Sequence, residues 1–287
     1  MPTWLSKEAL VALSDVRLQV ACIQMCSTAN RAENLQQAAI LLAQAAAGGA
    51  KLVLLPENFD LMGVSDTAKQ ENAELQHHSS VLAFLSQQAV LHQMTIIGGS
   101  TLLSTGSERL RNACAVFSSD GKLLAIYDKI HLFDVDVGAA ESYCESAVIK
   151  PGDKPCSVPL GSFRCGLSIC YDLRFPELYR YYMADGCQLL SVVAAFTDRT
   201  GAAHWQTLLR ARAIENQCYL LASAQWGVHA NGRRTWGHSM IIDPWGEVIA
   251  LQEEGVGVIM AALSLSCLTA VREKMDCLSH RRFIADF

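Results

Sequence analysis

Three side chains of complementary chemistry stand where apolar runs end. Glu57 closes LVLLPEN (52–58), Lys129 lies inside AIYDKIHL (125–132), and Cys170 ends the apolar half of GLSICYDLRFPELYR (166–180). In α/β architectures reactive groups gather where strands leave the sheet, because the loops there are exposed yet rigidly supported. A free thiol is mostly protonated at neutral pH and needs a base or an opposing charge to become a nucleophile. Glu57 supplies a base that can take the proton and return it to a leaving nitrogen, work worth roughly 10²–10⁴ in rate. Lys129 supplies a cation for the thiolate and for the oxyanion of a tetrahedral intermediate, with a backbone N–H near Tyr171 as second donor. Together they describe acyl transfer from an amide or nitrile through a thioester. Each residue also has a plainer reading: a core thiol, a solvated loop acid, a surface cation.

The elements that must carry these residues alternate along the chain. Periodicity and turn chemistry predict strands over 17–25, 51–55 and 95–100, a hairpin over 112–127, a strand ending at Cys170, and strands over 188–194, 219–224 and 257–263. A second hairpin, 238–251, turns at Asp-Pro-Trp-Gly, where proline suits the second turn position and glycine the fourth. Helices are expected over 30–47, 80–92, 203–216 and 265–275, with another entered at Pro176. Residues 133–159, rich in acids and small side chains, read as irregular. Hairpins at similar places in the two halves suggest an α/β fold of two sheets covered by helices. No Gly/Ser/Pro-rich linker divides it, so one domain over 1–287, with its core at about 17–282, is expected.

Bulk properties exclude several classes. Of 287 residues about half are apolar, and 23 Lys and Arg against 28 Asp and Glu leave a net charge of −5. Without a basic patch, a nucleic-acid partner has no electrostatic support. Residues 1–13 carry Lys7 and Glu8 where a signal peptide needs an uncharged core. The longest apolar candidate, 35–47, is broken by Gln36, Gln37 and Gln44 and falls short of the roughly 18–20 residues of a membrane span. The expectation is a cytoplasmic protein with no membrane partner. Eleven cysteines are scattered through apolar segments with no C-x-x-C pair and no zinc-ligand spacing. That distribution favours free thiols in a reducing compartment and counts against a redox or metal-handling protein.

The wording around the three residues goes further. LPEN (55–58), YDKIHL (127–132) and ICYDLRFPE (169–177) resemble the three motifs of the nitrilase superfamily of carbon–nitrogen hydrolases, and the resemblance runs over about 18–282. It implies an α-β-β-α sandwich, pairing into a homodimer or higher homo-oligomer, and no cofactor. It implies Glu57 as general base, Lys129 as support for oxyanion and thiolate, and Cys170 as nucleophile. It further implies a second glutamate after the lysine, for which Glu145 in Cys-Glu-Ser (144–146) is favoured and Glu141 competes. The intact triad counts against a catalytically silent scaffold.

Further stretches, AFTDRTG (195–201), HWQTLLRARAIEN (204–216) and GHSMIIDPWG (237–246), are similar to the Nit branch, which acts on ω-amides of 2-oxo acids. The substrate so implied is deaminated glutathione, which releases cysteinylglycine, with 2-oxoglutaramate or 2-oxosuccinamate, which release ammonia, or the substrate of another carbon–nitrogen hydrolase branch as the alternative. An acyl group bearing a carboxylate needs a cation. Arg174 is the candidate, against a scaffold role paired with Asp172 or Glu177. Phe196 and Thr197 are candidates to line the acyl pocket. His204 and Trp205 read as packing, and His131 and His238 as structural hydrogen bonders. Whether water or another amine accepts the acyl group is open.

Overall fold

The computed structural model describes residues 15–138 and 141–283. Among them the strands form an eight-stranded sheet, a six-stranded sheet and two two-stranded ribbons. The helices are α1 (Arg31–Ala47), α2 (Asp66–Asn72), α3 (Ser80–His92), α4 (Pro176–Ala184), α5 (Asp198–Asn216) and α6 (Leu265–Lys274).

Alternation along Arg17–Gln24 shows how the layers stack. Val20 and Cys22 face the second sheet, in one core with Leu54, Ile169, Val192 and Leu220. Ala21 and Ile23 point the other way, into a core with Leu41, Leu42 and Leu85 of α1 and α3. The second sheet is covered by α4 and α5 through Tyr179, Tyr182, Trp205 and Leu209. Its central strand Leu189–Ala194 is buried at every position, as a strand covered on both faces must be. The order is helices, sheet, sheet, helices, the α-β-β-α sandwich.

The first sheet runs Gly257–Ser264, Arg17–Gln24, Leu52–Leu54, Thr95–Ile97, Arg111–Phe117, Thr101–Ser104, Glu74–Leu75, with Leu123–Asp128 also on Arg111–Phe117. The second runs Ser157–Leu160, Phe163–Ile169, Leu189–Ala194, Tyr219–Ala224, Ser239–Ile242, Val248–Gln252. Polar groups join the two layers: Ser223 Oγ donates to Leu54 O at 2.9 Å and accepts from Ile23 N at 3.1 Å.

Several elements depart from the sequence reading. The stretch expected to be irregular holds a ribbon, Asp134–Gly138 with Glu141–Cys144, and the strand Ser157–Leu160. A second ribbon, Trp226–Val228 with Arg234–Trp236, forms around the turn 229–233, which holds Gly232 at φ 82°. Neither ribbon belongs to either large sheet. Helix α5 begins at Asp198, five residues before 203, because Gly201 is a packing residue and not a breaker. A Cβ there would lie 2.3 Å from Trp236 Cβ.

Candidate active site

Each of the three strand ends delivers its side chain by a different backbone device. Glu57 follows the strand Leu52–Leu54, where Gly99 crosses directly beneath the chain. A Cβ on Gly99, which sits at φ +56°, would stand 2.1 Å from Pro56 O, so only glycine permits the crossing. Lys129 is fixed by its backbone: its N–H donates to Asn112 O at 2.9 Å, and its carbonyl accepts from Gly152 N at 2.8 Å. Cys170 opens the short 3-10 turn Cys170–Arg174 with φ 51°, a left-handed conformation unusual for a residue bearing a Cβ. The turn is clamped by Asp172, which accepts from Ile169 N at 2.9 Å.

The side chains converge. Lys129 Nζ donates to Glu57 Oε1 at 3.0 Å and lies 2.8 Å from Glu145 Oε2. Asn112 Nδ2 donates to both acids, at 3.1 Å to Glu57 Oε1 and 3.2 Å to Glu145 Oε1. The other Glu57 oxygen accepts from Ala195 N at 2.8 Å, and Phe133 N donates to Glu145 Oε2 at 2.8 Å. Glu57, Lys129, Glu145 and Cys170 all line one cleft of about 260 Å³. Glu145 therefore joins the cluster, whereas the side chain of its competitor Glu141 lies outside the described residues.

Burial sets the charge states. Desolvation pushes the Cys170 thiol far above its ordinary value and the Glu57 carboxylate adds to this, while Lys129 opposes both. Burial also works against ionisation of Glu57, but Lys129 outweighs it and holds this carboxyl below its usual range. Lys129 is disfavoured by burial, yet Glu145 and Glu57 hold it well above the ordinary lysine value. The resting site at neutral pH is thus thiol, carboxylate and ammonium. Such a thiol becomes nucleophilic only as its proton leaves, and the Glu57 carboxylate lies beside it.

The substrate-binding candidates divide. Tyr171, Phe196 and Thr197 line a small subpocket together with Cys170, and Tyr171 packs edge-on against Phe133 and Phe175. Phe196 also packs on Trp205, so lining and core packing coincide there. Arg174 lines neither the cleft nor the subpocket. Its guanidinium lies over the rings of Tyr171 and Phe196, at 5.7 and 5.2 Å, and meets His204 Nδ1 at 3.2 Å. Of the two scaffold partners considered for Arg174, Asp172 and Glu177, Asp172 instead binds Tyr127 Oη at 2.7 Å and His131. His131 and His238 make structural bonds, His238 to Trp236 O at 3.0 Å.

Three residues were not foreseen. Asn112 carried a signal, a polar residue at the mouth of the apolar run ACAVF. Asp172 was considered only as a partner for Arg174, not as the clamp between the segments of Lys129 and Cys170. Arg233 sits in an Asn-Gly-Arg-Arg turn that looks like any solvated loop, but it lines both the cleft and the subpocket. Among the described residues, no group of three or more His, Cys, Asp or Glu side chains is arranged to hold a metal ion, and no helix is long and apolar enough to cross a membrane.

Comparison with known proteins decides the family. Residues 19–273 match the carbon–nitrogen hydrolase family. The chain is a carbon–nitrogen hydrolase. This hydrolase is 45% identical over 268 residues to the deaminated glutathione amidase of Synechocystis sp., covering 92% of this chain and 98% of that one. Among solved structures, the Caenorhabditis elegans NitFhit protein is similar with a TM-score of 0.85 at 38% identity; the alignment covers 94% of this chain but only 66% of that one. Saccharomyces cerevisiae Nit3, a member of the nitrilase superfamily, is similar with a TM-score of 0.84 at 29% identity, covering 93% and 97%. The hydrolase thus belongs to an amide-cleaving family of the nitrilase superfamily, and its sandwich is the one expected from the motifs.

Proposed function

We propose that the hydrolase is a deaminated glutathione amidase in which Cys170 is the nucleophile, Glu57 the general base and acid, and Lys129 the oxyanion support. The observation that carries this reading is the meeting of all three in one cleft, in a chain 45% identical to a protein of that name. In the first half-reaction Cys170 Sγ attacks the amide carbon as its proton passes to Glu57. Lys129 Nζ and the Tyr171 N–H receive the oxyanion, each donor of this kind being worth about 10²–10³ in rate. Collapse of the intermediate expels cysteinylglycine, protonated by Glu57, and leaves a 2-oxoglutaryl thioester. Glu57 then takes a proton from water, which attacks the thioester and returns Cys170 as thiol. Glu145 positions Lys129, since both of its oxygens bind the ammonium or its neighbours. Phe196 and Thr197 flank the acyl chain.

The reading extends to a single catalytic domain over 1–287 acting in the cytoplasm as a homo-oligomer. The alternative substrate is 2-oxoglutaramate, which shares the acyl part. The test offers both amides side by side and follows 2-oxoglutarate release. A higher kcat/KM for deaminated glutathione is expected, and Cys170→Ala should abolish turnover while keeping a native circular dichroism spectrum. Full residual activity in that variant would remove the thiol from the mechanism, and preference for 2-oxoglutaramate would make the hydrolase an ω-amidase.

A further inference from the structure

Glu57 follows a strand of the first sheet but is held by residues of the second. Its carboxylate accepts from Ala195 N, just past the strand Leu189–Ala194. Its backbone is held by Gln225, just past the neighbouring strand Tyr219–Ala224. Gln225 is fully buried and lines neither the cleft nor the subpocket. Its main chain is locked in place, for its N–H donates to Ala194 O at 2.9 Å and the residue bridges Met25. Met25 in turn donates its N–H to Ala224 O at 3.4 Å and accepts from Trp226 N at 2.8 Å.

Both polar atoms of the Gln225 side chain are bonded. Oε1 accepts from Ser27 N at 3.0 Å, and Nε2 donates to Ser27 Oγ at 2.8 Å, to Glu57 O at 3.1 Å and to Asn58 O at 3.5 Å. Ser27, also buried, donates its hydroxyl proton to Phe59 O at 2.8 Å. Gln225 and Ser27 thus hold three consecutive carbonyls, those of residues 57, 58 and 59. The middle residue, Asn58, has φ 54°, a left-handed conformation that a residue with a Cβ adopts at a cost. Such a conformation persists only where its surroundings over-determine it. Ser100 Oγ adds a further hold, accepting from Asn58 N at 3.1 Å.

We infer that Gln225, extended by Ser27, is a positioning residue for the reaction: it fixes the left-handed turn at Asn58 and so aims Glu57 at the Cys170 sulfur. This deepens the reading of Glu57 as base and rests on it. Gln225 lines no part of the cleft, so its effect on the chemistry passes through Glu57. Ala195 N holds one Glu57 oxygen, and Lys129 with Asn112 holds the other. Those bonds set where the oxygens lie, while the turn at Asn58 sets whether the side chain reaches them. Proton transfer needs heavy atoms within about 2.6–3.2 Å, and a misplacement of about 1 Å costs roughly 10²-fold in rate. A backbone hold on the base is therefore worth as much as a contact to the substrate.

Gln225→Met keeps the length of the side chain and removes its four bonds. Cleavage of deaminated glutathione, followed in single turnover with enzyme in excess, should slow about 10²-fold, with KM in steady state little changed. Adding Gln225→Met to Glu57→Gln should slow that variant no further, because a residue that acts through the base then has nothing left to act on. Losses that multiply, as a general structural role requires, or an unslowed Gln225→Met, would overturn the inference. Ser27→Ala removes only the bonds through Oγ and guards against misfolding of the first variant. It should lose at least about tenfold and vanish in the same way on the Glu57→Gln background, and multiplying losses there would count equally against the inference. A crystal structure of Gln225→Met supplies a readout that needs no turnover: Asn58 should leave the left-handed region and Glu57 should draw away from Ala195 N. An unmoved turn would overturn the inference even if the wild type cleaves neither amide, whereas Glu57→Gln turning over at the wild-type rate would refute Glu57 as the base and the inference with it.

Discussion

One oxygen of Asp172 binds His131 twice, accepting from its backbone N at 3.0 Å and meeting its Nδ1 at 2.7 Å. The other oxygen accepts from Tyr127 Oη at 2.7 Å and Ile169 N at 2.9 Å. Asp172 thereby joins the segment that carries Lys129 to the turn that carries Cys170, and it is fully buried.

Asp172→Asn should therefore damage both stability and rate. An amide has one acceptor oxygen where the carboxylate has two, so at least one buried donor would face an NH₂ group. Each unsatisfied buried polar group costs about 1–3 kcal/mol. We expect a loss of about 3 kcal/mol in urea unfolding and a fall in kcat of at least about tenfold as the turn relaxes. Unchanged stability would show that the four bonds to Asp172 contribute nothing to folding.

Asn112→Asp should shift the acid limb of the pH–rate profile. A third carboxylate beside Glu57 and Glu145 disfavours ionisation of its neighbours. Glu57, now held below the usual carboxylate range, would be raised, and activity should begin to fall at higher pH than in the wild type. Asn112→Ala, which adds no charge, should move that limb less. Coincident profiles for Asn112→Asp and the wild type would separate Glu57 from the base function.

Alkaline pH should unfold the hydrolase through its core thiols. Burial pushes Cys22 up to about 12 and raises Cys114, Cys165, Cys170 and Cys218 further. Their ordinary value is 9.0, so above it the unfolded chain releases protons that the folded chain keeps. Stability is then intact below pH 9 and falls as pH rises, by about 1.4 kcal/mol per unit for each such thiol. The raised value of Lys129 acts in the same direction above its own ordinary range. Unfolding midpoints should hold from pH 6 to 8.5 and drop steeply toward pH 10.5, and Cys114→Ala should flatten the slope by one thiol's share. A midpoint constant to pH 10.5 would contradict the burial argument.

What could be read beforehand was whatever depends on local pattern. The strand Tyr219–Ala224 and helix Ser80–His92 have the expected bounds, because apolar periodicity and caps lie within the segment itself. Glu57, Lys129 and Cys170 were legible because each follows an apolar run that had to be a strand. Glu145 was legible from its family context alone. Arg233 was not, since its meaning arises from a ribbon folding over the cleft, a contact between distant segments. Arg174 was nominated from proximity in sequence, and the 3-10 turn after Cys170 lays its guanidinium over the rings of Tyr171 and Phe196.

The bonds of Ser223 to Leu54 and Ile23 have a bearing on how the reaction can be tuned. Glu57 belongs to one layer of the sandwich and Cys170 to the other, so the gap between base and sulfur is set by the alignment of two sheets. Turnover is then a gauge of that alignment. Anything that slides one sheet against the other, however remote from the cleft, acts as a throttle on proton transfer without meeting the substrate.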